Sequence, residues 1–122
     1  RMHEAKVKND SSFYIWGTGK PLREFLYVDD LAMAIKFILD NDISEDLLNI
    51  GSGHEISIKD LAIKIKKIVG YKGSLDFDNT KPDGNPRKLL DSNVINSLGW
   101  QSRVPLDEGL ANSYAWFLDN IN

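Results

Sequence analysis

The clearest pattern in the chain is an apolar stripe with helical spacing over residues 56–69. Apolar side chains recur there every three or four positions, at Ile58, Leu61, Ala62, Ile65, Ile68 and Val69. This period predicts an amphipathic helix that buries one face. Ser57 is the expected cap, with Asp60 three residues on, and Gly70 is the expected stop. The lysines near the end of the stripe suit the helix dipole, and we interpret them as a solvated face.

Weaker helical patterns occur elsewhere, so that we expect about four helices in all. An apolar stripe after Asp30 predicts a helix over 30–40, and a short helix is expected to begin at Asp91 or Ser92 and to end at Gly99. Pro105 suits the first position of a last helix. The first eight residues are too few to show a period, but they fit the tail of a helix.

Runs of aromatic and branched side chains predict several short strands, at residues 11–16, 25–28, 46–50 and 75–78. Gly17, Gly19 and Pro21 form a tight connection between the first two. Asp29 and Asp30 follow the second strand and are expected to cap the next helix. Helices alternating with short strands indicate an α/β fold.

Charge is concentrated in two loops. Residues 80–88, TKPDGNPRK, contain two prolines and a glycine, which exclude a helix, and carry three cations around Asp83. Such a loop is either a solvated turn or an anion site. Arg23 beside the glycine-rich turn has the same two interpretations: a surface ion pair with Glu24, or a planar fork that binds a carboxylate or phosphate.

Composition excludes several classes of site and partner. The 122 residues are 42% hydrophobic and 27% charged, which suits one globular unit, and the net charge of −3 gives no overall attraction to nucleic acid or to an anionic membrane. The absence of cysteine and the presence of only two histidines exclude disulfides, thiol nucleophiles and a zinc site, and favour the cytoplasm. No apolar run is long enough to span a membrane. Because the chain starts at Arg1, we expect a piece of a longer protein.

Neither glycine motif is a phosphate-binding fingerprint. The turn at 51–53 has Ile56 where a dinucleotide motif needs its last glycine, and Gly19-Lys20 is followed by Pro21 where a phosphate loop needs Ser or Thr. His3 has no orienting partner close in sequence, so it is not a candidate general base.

Six motifs together resemble the GDP-L-fucose synthase family. They are WGTGKPLREFLYVDDLA at 16–32, NIGSG at 49–53, VGYKG at 69–73, KPDGNPRKLLD at 81–91, LGW at 98–100 and YAWFLDN at 114–120. Members are NADP-dependent short-chain dehydrogenase/reductases of the extended type, which convert GDP-4-keto-6-deoxy-mannose to GDP-L-fucose by epimerising C3 and C5 and then reducing C4. The motif at 81–91 is the most specific, whereas REFLYVDD occurs widely among nucleotide-sugar epimerases.

The resemblance implies that residues 1–122 are the C-terminal substrate-binding domain of such an enzyme, without the complete Rossmann domain. The NADP(H) site and the catalytic groups belong to the family's N-terminal part, so the resemblance implies no catalytic residue, cofactor site or metal site here, and an inactive isolated chain. It also implies a cytoplasmic homodimer that binds a GDP-sugar, with no nucleic acid and no membrane as partner.

The family's contacts to the nucleotide sugar fall on Arg1, Trp16, Arg23, Asp83 and Lys88. By this resemblance the three cations would neutralise the diphosphate, Trp16 would offer an apolar face to a ring, and Asp83 would accept from a sugar hydroxyl or a base.

Two alternatives stay open from sequence. One is another epimerase or dehydratase that acts on a nucleotide sugar. The other is a non-catalytic interaction module in which the charged loops are solvated and the aromatic C-terminal helix binds a partner. The stripe Leu31, Ile35 and Ile38 is expected to lack cover, which predicts self-association.

Overall fold

In the computed structural model, which describes residues 1–121, these residues form five helices and five short strands. The helices are α1 Met2–Val7, α2 Val28–Asp40, α3 Ile58–Val69, α4 Asn93–Ser97 and α5 Leu106–Asn120. The strands are β1 Ser12–Trp16, β2 Leu22–Glu24, β3 Glu55–Ser57, β4 Ser74–Asp78 and β5 Arg87–Lys88. The predicted α/β class is confirmed, and the fifth helix is α1, in the first eight residues that fit the tail of a helix.

Helix α3 follows its sequence signals closely. The Ser57 hydroxyl accepts from the Asp60 backbone N–H at 3.0 Å and donates to the Asp60 carboxylate at 2.6 Å. Gly70 ends the helix with φ of 72°, a left-handed conformation that glycine adopts without strain. The predicted cap and stop are therefore confirmed, whereas Ile56, at the start of the predicted stretch, lies in β3 ahead of the helix.

The strands form two small sheets. In the first, β1 runs parallel to β4, with Ser12 opposite Ser74 and Trp16 opposite Asp78. In the second, β2 is central, antiparallel to β3 and parallel to β5. The second sheet therefore joins three distant parts of the chain, around residues 23, 56 and 88.

Two predicted strands are wrong. Residues 25–28 are not a strand, because β2 ends at Glu24 and α2 begins at Val28. Between them, Leu26 packs against a buried cluster, Tyr27 lies against Gly109 of α5 and Phe25 is exposed. Residues 46–50 form no strand either. Leu48 and Ile50 pack against a buried cluster without joining a sheet, so their apolar character serves the core alone.

The core has two clusters. One contains Met2, Ala5, Val69 and Tyr71 and joins α1 to α3. The other contains Ala34, Ile95 and Trp100, with Phe37 and Ile38 of α2 packed against it. The prediction that Ile38 lies on an uncovered stripe is therefore wrong. The exposed stripe of α2 consists of Val28, Leu31, Ile35 and Leu39.

The expected carboxylate cap of α2 is also wrong. Tyr27 is the N-cap, with no side-chain capping bond, and Asp30 lies inside the helix with only 5% of its surface exposed. Its carboxylate accepts from the backbone N–H groups of Arg103, at 3.0 Å, and Val104, at 2.9 Å. Asp30 thus joins α2 to the segment that leads into α5.

His3 in α1 and Asp91 before α4 both form side-chain hydrogen bonds. His3 finds a partner 111 residues away, with its Nδ1 2.9 Å from the Tyr114 hydroxyl, so that α1 is joined to α5. At α4, Asp91 accepts from the Asn93 N–H at 3.0 Å, whereas Ser92 makes no capping bond. Asp91 is therefore the residue that stabilises the first turn.

Candidate functional site

The glycine-rich turn before Arg23 and the charged loop at 80–88 lie side by side. The Gly17 N–H donates to the carbonyl of Asp78, just before the loop, at 3.0 Å. Further on, the Leu22 N–H donates to the Pro86 carbonyl at 2.9 Å, where β5 begins. Proline has no N–H of its own but retains a carbonyl that accepts, so the prolines of the loop are compatible with this pairing. The turn at 17–21 and the loop at 81–88 therefore form one surface.

Asp83 joins the loop to the turn through Thr18. One carboxylate oxygen accepts from the Thr18 backbone N–H at 2.8 Å, and the other accepts from the Thr18 hydroxyl at 2.6 Å. The hydrogen bond from the Thr18 hydroxyl is the main cause that lowers the pKa of Asp83; the Thr18 N–H and the charge of Lys20 add to it, and a small loss of hydration opposes it. Asp83 is consequently held as a carboxylate.

Gly17 makes this approach possible. Its φ is 81°, in the left-handed region, and a Cβ at this position would overlap the Asp83 Oδ1 atom. The glycine that sequence analysis assigned to a tight turn thus also leaves room for the carboxylate of a segment far along the chain.

Arg23 and Lys88 are register partners on the adjacent parallel strands β2 and β5. Partners in register point to the same face of a sheet, and neighbouring strands are about 4.8 Å apart. Arg23 donates through Nη1 to the Leu22 carbonyl at 2.6 Å and to the Asn85 carbonyl at 2.7 Å. Within residues 1–121, neither Arg23 nor Lys88 forms an ion pair. The structure therefore places two cations side by side on one face.

The alternative ion pair between Arg23 and Glu24 is wrong. Glu24 follows Arg23 in β2, so its side chain points to the other face, where it accepts from the Gly53 N–H at 2.7 Å and from the Leu90 N–H at 3.0 Å. No sequence pattern indicates this role of Glu24, because the two donors lie 29 and 66 residues away. A Cβ on Gly51 would overlap the Glu24 carboxylate, so the turn at 51–53 accommodates a side chain of this protein.

Arg87 is bound to a carboxylate. Its guanidinium contacts Glu55 of β3 at 2.6 Å through Nη2 and at 2.7 Å through Nε. The hydrogen bond from Arg87 lowers the pKa of Glu55, and the same pair raises the pKa of Arg87. The pair fixes the two-residue strand β5 across the sheet, which in turn fixes the backbone position of Lys88.

Trp16 ends β1 next to this surface. Its side chain is 71% exposed, and Lys81 Nζ lies 5.8 Å from the centroid of its ring. Arg1 lies elsewhere, with its guanidinium 5.5 Å from the centroid of Phe13. Side chains alternate along a strand, so Phe13 and Trp16 lie on opposite faces of β1. The structure brings together four of the five predicted residues, and in the described part of the chain no hydrogen bond or ion pair joins Arg1 to them.

The surface is open and lies outside two cavities elsewhere in the described chain. A cavity of about 590 Å³ is lined by lysines and apolar residues of α3 and β4, and one of about 400 Å³ lies beside Phe25 and Pro105. Neither is lined by a predicted site residue. Across residues 1–121 there is no cluster of three metal-ligating side chains and no helix long and apolar enough to cross a membrane.

Comparison with known proteins identifies the relatives of this chain. The model of the NAD dependent epimerase/dehydratase family matches residues 1–51. GDP-L-fucose synthase 1 of Arabidopsis thaliana is 52% identical over 121 residues, which cover 99% of this chain and 38% of that protein. GDP-L-fucose synthase of Escherichia coli K12 is 43% identical, over 98% of this chain and 40% of the relative.

A solved structure agrees with these sequence matches. The GDP-L-fucose synthetase from Naegleria fowleri bound to NADP superposes with a TM-score of 0.87 and 29% identity, covering 98% of this chain and 38% of that one. The predicted resemblance to GDP-L-fucose synthases is therefore confirmed, as is the fold of a part of an epimerase of the short-chain dehydrogenase/reductase type. The chain spans about two-fifths of the length of the curated relatives it matches.

Proposed function

We propose that this chain, as a relative of the GDP-L-fucose synthases, is their C-terminal substrate-binding domain and holds a GDP-sugar by its diphosphate. The observation that carries the proposal is the register of Arg23 and Lys88 on adjacent strands. Two cations on one face can each contact one phosphate of a diphosphate, and the arginine fork adds bidentate hydrogen bonds.

The anchoring of each cation supports the same role. Arg23 uses Nη1 for the Leu22 and Asn85 carbonyls, which leaves Nη2 and Nε for a ligand. The side chain of Lys88 makes no hydrogen bond within the described residues, and its strand is fixed by the Arg87–Glu55 pair. The backbone is thus ordered before ligand arrives, which lowers the entropic cost of binding.

The neighbouring residues complete the proposed site. The exposed ring of Trp16 offers a stacking face to a base or a sugar. Each oxygen of Asp83 accepts one bond from Thr18 and keeps a lone pair that accepts from a ligand hydroxyl or base N–H. Arg1, at the start of α1, would reach the ligand only from the side of Phe13 and is the outermost member of the set.

The complete enzyme, in this proposal, makes GDP-L-fucose from GDP-4-keto-6-deoxy-mannose by epimerising C3 and C5 and reducing C4 with NADPH. The cofactor site and the groups that transfer hydride and protons belong to a nucleotide-binding domain outside these 122 residues. We therefore expect the isolated chain neither to turn over substrate nor to bind NADPH tightly. The proposed setting is a cytoplasmic homodimer.

Isothermal titration of the chain with GDP-L-fucose, compared with UDP-glucose, tests the proposal. A diphosphate clamp that belongs to a GDP-sugar enzyme predicts saturable heat with GDP-L-fucose and weaker binding of UDP-glucose. Equal or tighter binding of UDP-glucose would favour another epimerase of the same superfamily. No heat with either ligand would leave the charged loops solvated and would contradict the proposal.

A further inference from the structure

Thr18 is the residue through which the turn at 17–21 contacts Asp83, 65 residues away. Its N–H and its hydroxyl bind the two carboxylate oxygens separately, at 2.8 and 2.6 Å. We propose that Thr18 is a positioning residue, which orients Asp83 and holds the start of the loop at 81–88 against the turn, beside the Arg23 and Lys88 pair. The ligand arm of its test rests on the function proposed above.

The direction of the hydroxyl is fixed by a second contact. Thr18 Oγ1 accepts from the Lys20 N–H at 3.2 Å while it donates its hydrogen to Asp83. A hydroxyl that accepts on one side and donates on the other has little rotational freedom. The carboxylate it binds is therefore held in one orientation, within the space left by the missing Cβ of Gly17.

The rest of the loop is fastened independently of Thr18. Arg23 donates to the Asn85 carbonyl, and the Leu22 N–H donates to the Pro86 carbonyl. Loss of the Thr18 hydroxyl should therefore release the start of the loop, around Asp83, and leave β5 paired with β2. The lowered pKa of Asp83, for which the Thr18 hydroxyl is the main cause, agrees with this geometry.

The test substitutes Thr18→Val, which removes the hydroxyl at nearly constant shape, and Thr18→Ser, which keeps it. Thr80→Val is the matched control, because Thr80 binds Asp78 through the same two donors but within a single turn. A ¹³C NMR titration of the Asp83 carboxyl in the free chain and titration calorimetry with GDP-L-fucose supply the readouts. Thr18→Ala repeats the measurement if circular dichroism shows that valine is not accommodated.

We expect Thr18→Val to raise the pKa of Asp83 and to weaken GDP-L-fucose binding about tenfold, the effect of one hydrogen bond to a charged group. Thr18→Ser should keep the Asp83 pKa of the parent and should bind GDP-L-fucose within twofold of the parent affinity. Thr80→Val should change the pKa of Asp78 and leave the pKa of Asp83 unchanged. This pattern separates orientation of Asp83 from a general loss of stability.

An unchanged Asp83 titration in Thr18→Val would overturn the proposal, because the two residues would then not be bonded in solution. A changed titration with affinity within twofold of the parent would overturn the positioning role. If the parent chain itself gives no heat with GDP-L-fucose, the proposed function fails, and the titration of the free chain still decides whether Thr18 orients Asp83.

Discussion

Removing either member of the Arg23 and Lys88 pair should weaken the binding of a GDP-sugar. Each of Arg23→Ala and Lys88→Ala removes a charge-assisted hydrogen bond to phosphate, worth roughly 1.5–3 kcal/mol, or about ten- to a hundredfold in affinity. In the full-length enzyme the same loss should raise KM for the GDP-sugar and leave the affinity for NADPH nearly unchanged.

The structure separates the two variants by their effect on stability. Arg23→Ala also loses the bond to the Asn85 carbonyl, so it should lower the free energy of unfolding. Lys88→Ala breaks no hydrogen bond within residues 1–121, so it is the cleaner probe of binding. Arg23→Lys should rescue only part of the affinity, because a point charge does not reproduce the planar fork.

A double-mutant cycle measured by titration calorimetry checks that both charges act on one ligand. Residues that share a ligand should give non-additive effects, and the affinity lost should shrink as salt screens the remaining charges. Lys36→Ala is the charge-matched control, because Lys36 pairs with Asp40 on α2. If each alanine variant binds the GDP-sugar within twofold of the parent, neither residue touches the diphosphate.

Three further predictions concern stability and assembly. Glu24→Gln should lower the free energy of unfolding in urea by about 1.5–3 kcal/mol, since the amide puts an NH2 group in place of one of the two oxygens that accept from backbone N–H groups. Arg87 lowers the pKa of Glu55, so the stabilisation from this pair is present above the ordinary carboxyl pKa and is lost as the pH falls through the lowered pKa. The difference in free energy of unfolding between the parent and Arg87→Gln should therefore shrink from about pH 5 downward. Light scattering should give a mass above 13.8 kDa that rises with concentration, because Leu31 and Ile35 are exposed.

Each of these has a result that would contradict it. Glu24→Gln should have a lower free energy of unfolding than Glu45→Gln, since Glu45 is exposed and its side chain makes no hydrogen bond in the described chain. Equal free energies of unfolding would show that the Glu24 contacts contribute nothing. A pH-independent difference for Arg87→Gln would mean that Glu55 titrates normally. A constant mass of 13.8 kDa would show that the exposed stripe of α2 does not drive association.

Local signals predicted helix α3 well, because all of them act within a few residues. The Ser57 cap, the apolar period and the Gly70 stop depend on short-range geometry. The strand predicted at 46–50 failed for the opposite reason, since an apolar run reports burial and carries no information on whether a ladder partner exists. The actual strands β2, β3 and β5 are two or three residues long and owe their existence to pairing across the chain.

The site was predictable only in outline. The charges of Arg23 and Lys88 stand out in the sequence, and the family resemblance implies that both bind one ligand. Their register on two adjacent strands, however, depends on the tertiary fold. Glu24 and Thr18 carried no signal, because their partners lie 29 to 66 residues away. Long-range hydrogen bonds of this kind are where sequence patterns stop being informative.

The most direct test of the diphosphate clamp is ³¹P NMR of GDP-L-fucose with the chain and with the Arg23→Ala, Lys88→Ala double variant. If Arg23 and Lys88 hold the diphosphate, the two phosphate resonances shift and broaden as the parent chain is added, and the double variant leaves them nearly unchanged at the same concentration. Phosphate resonances that respond equally to parent and double variant, or to neither, would contradict the clamp.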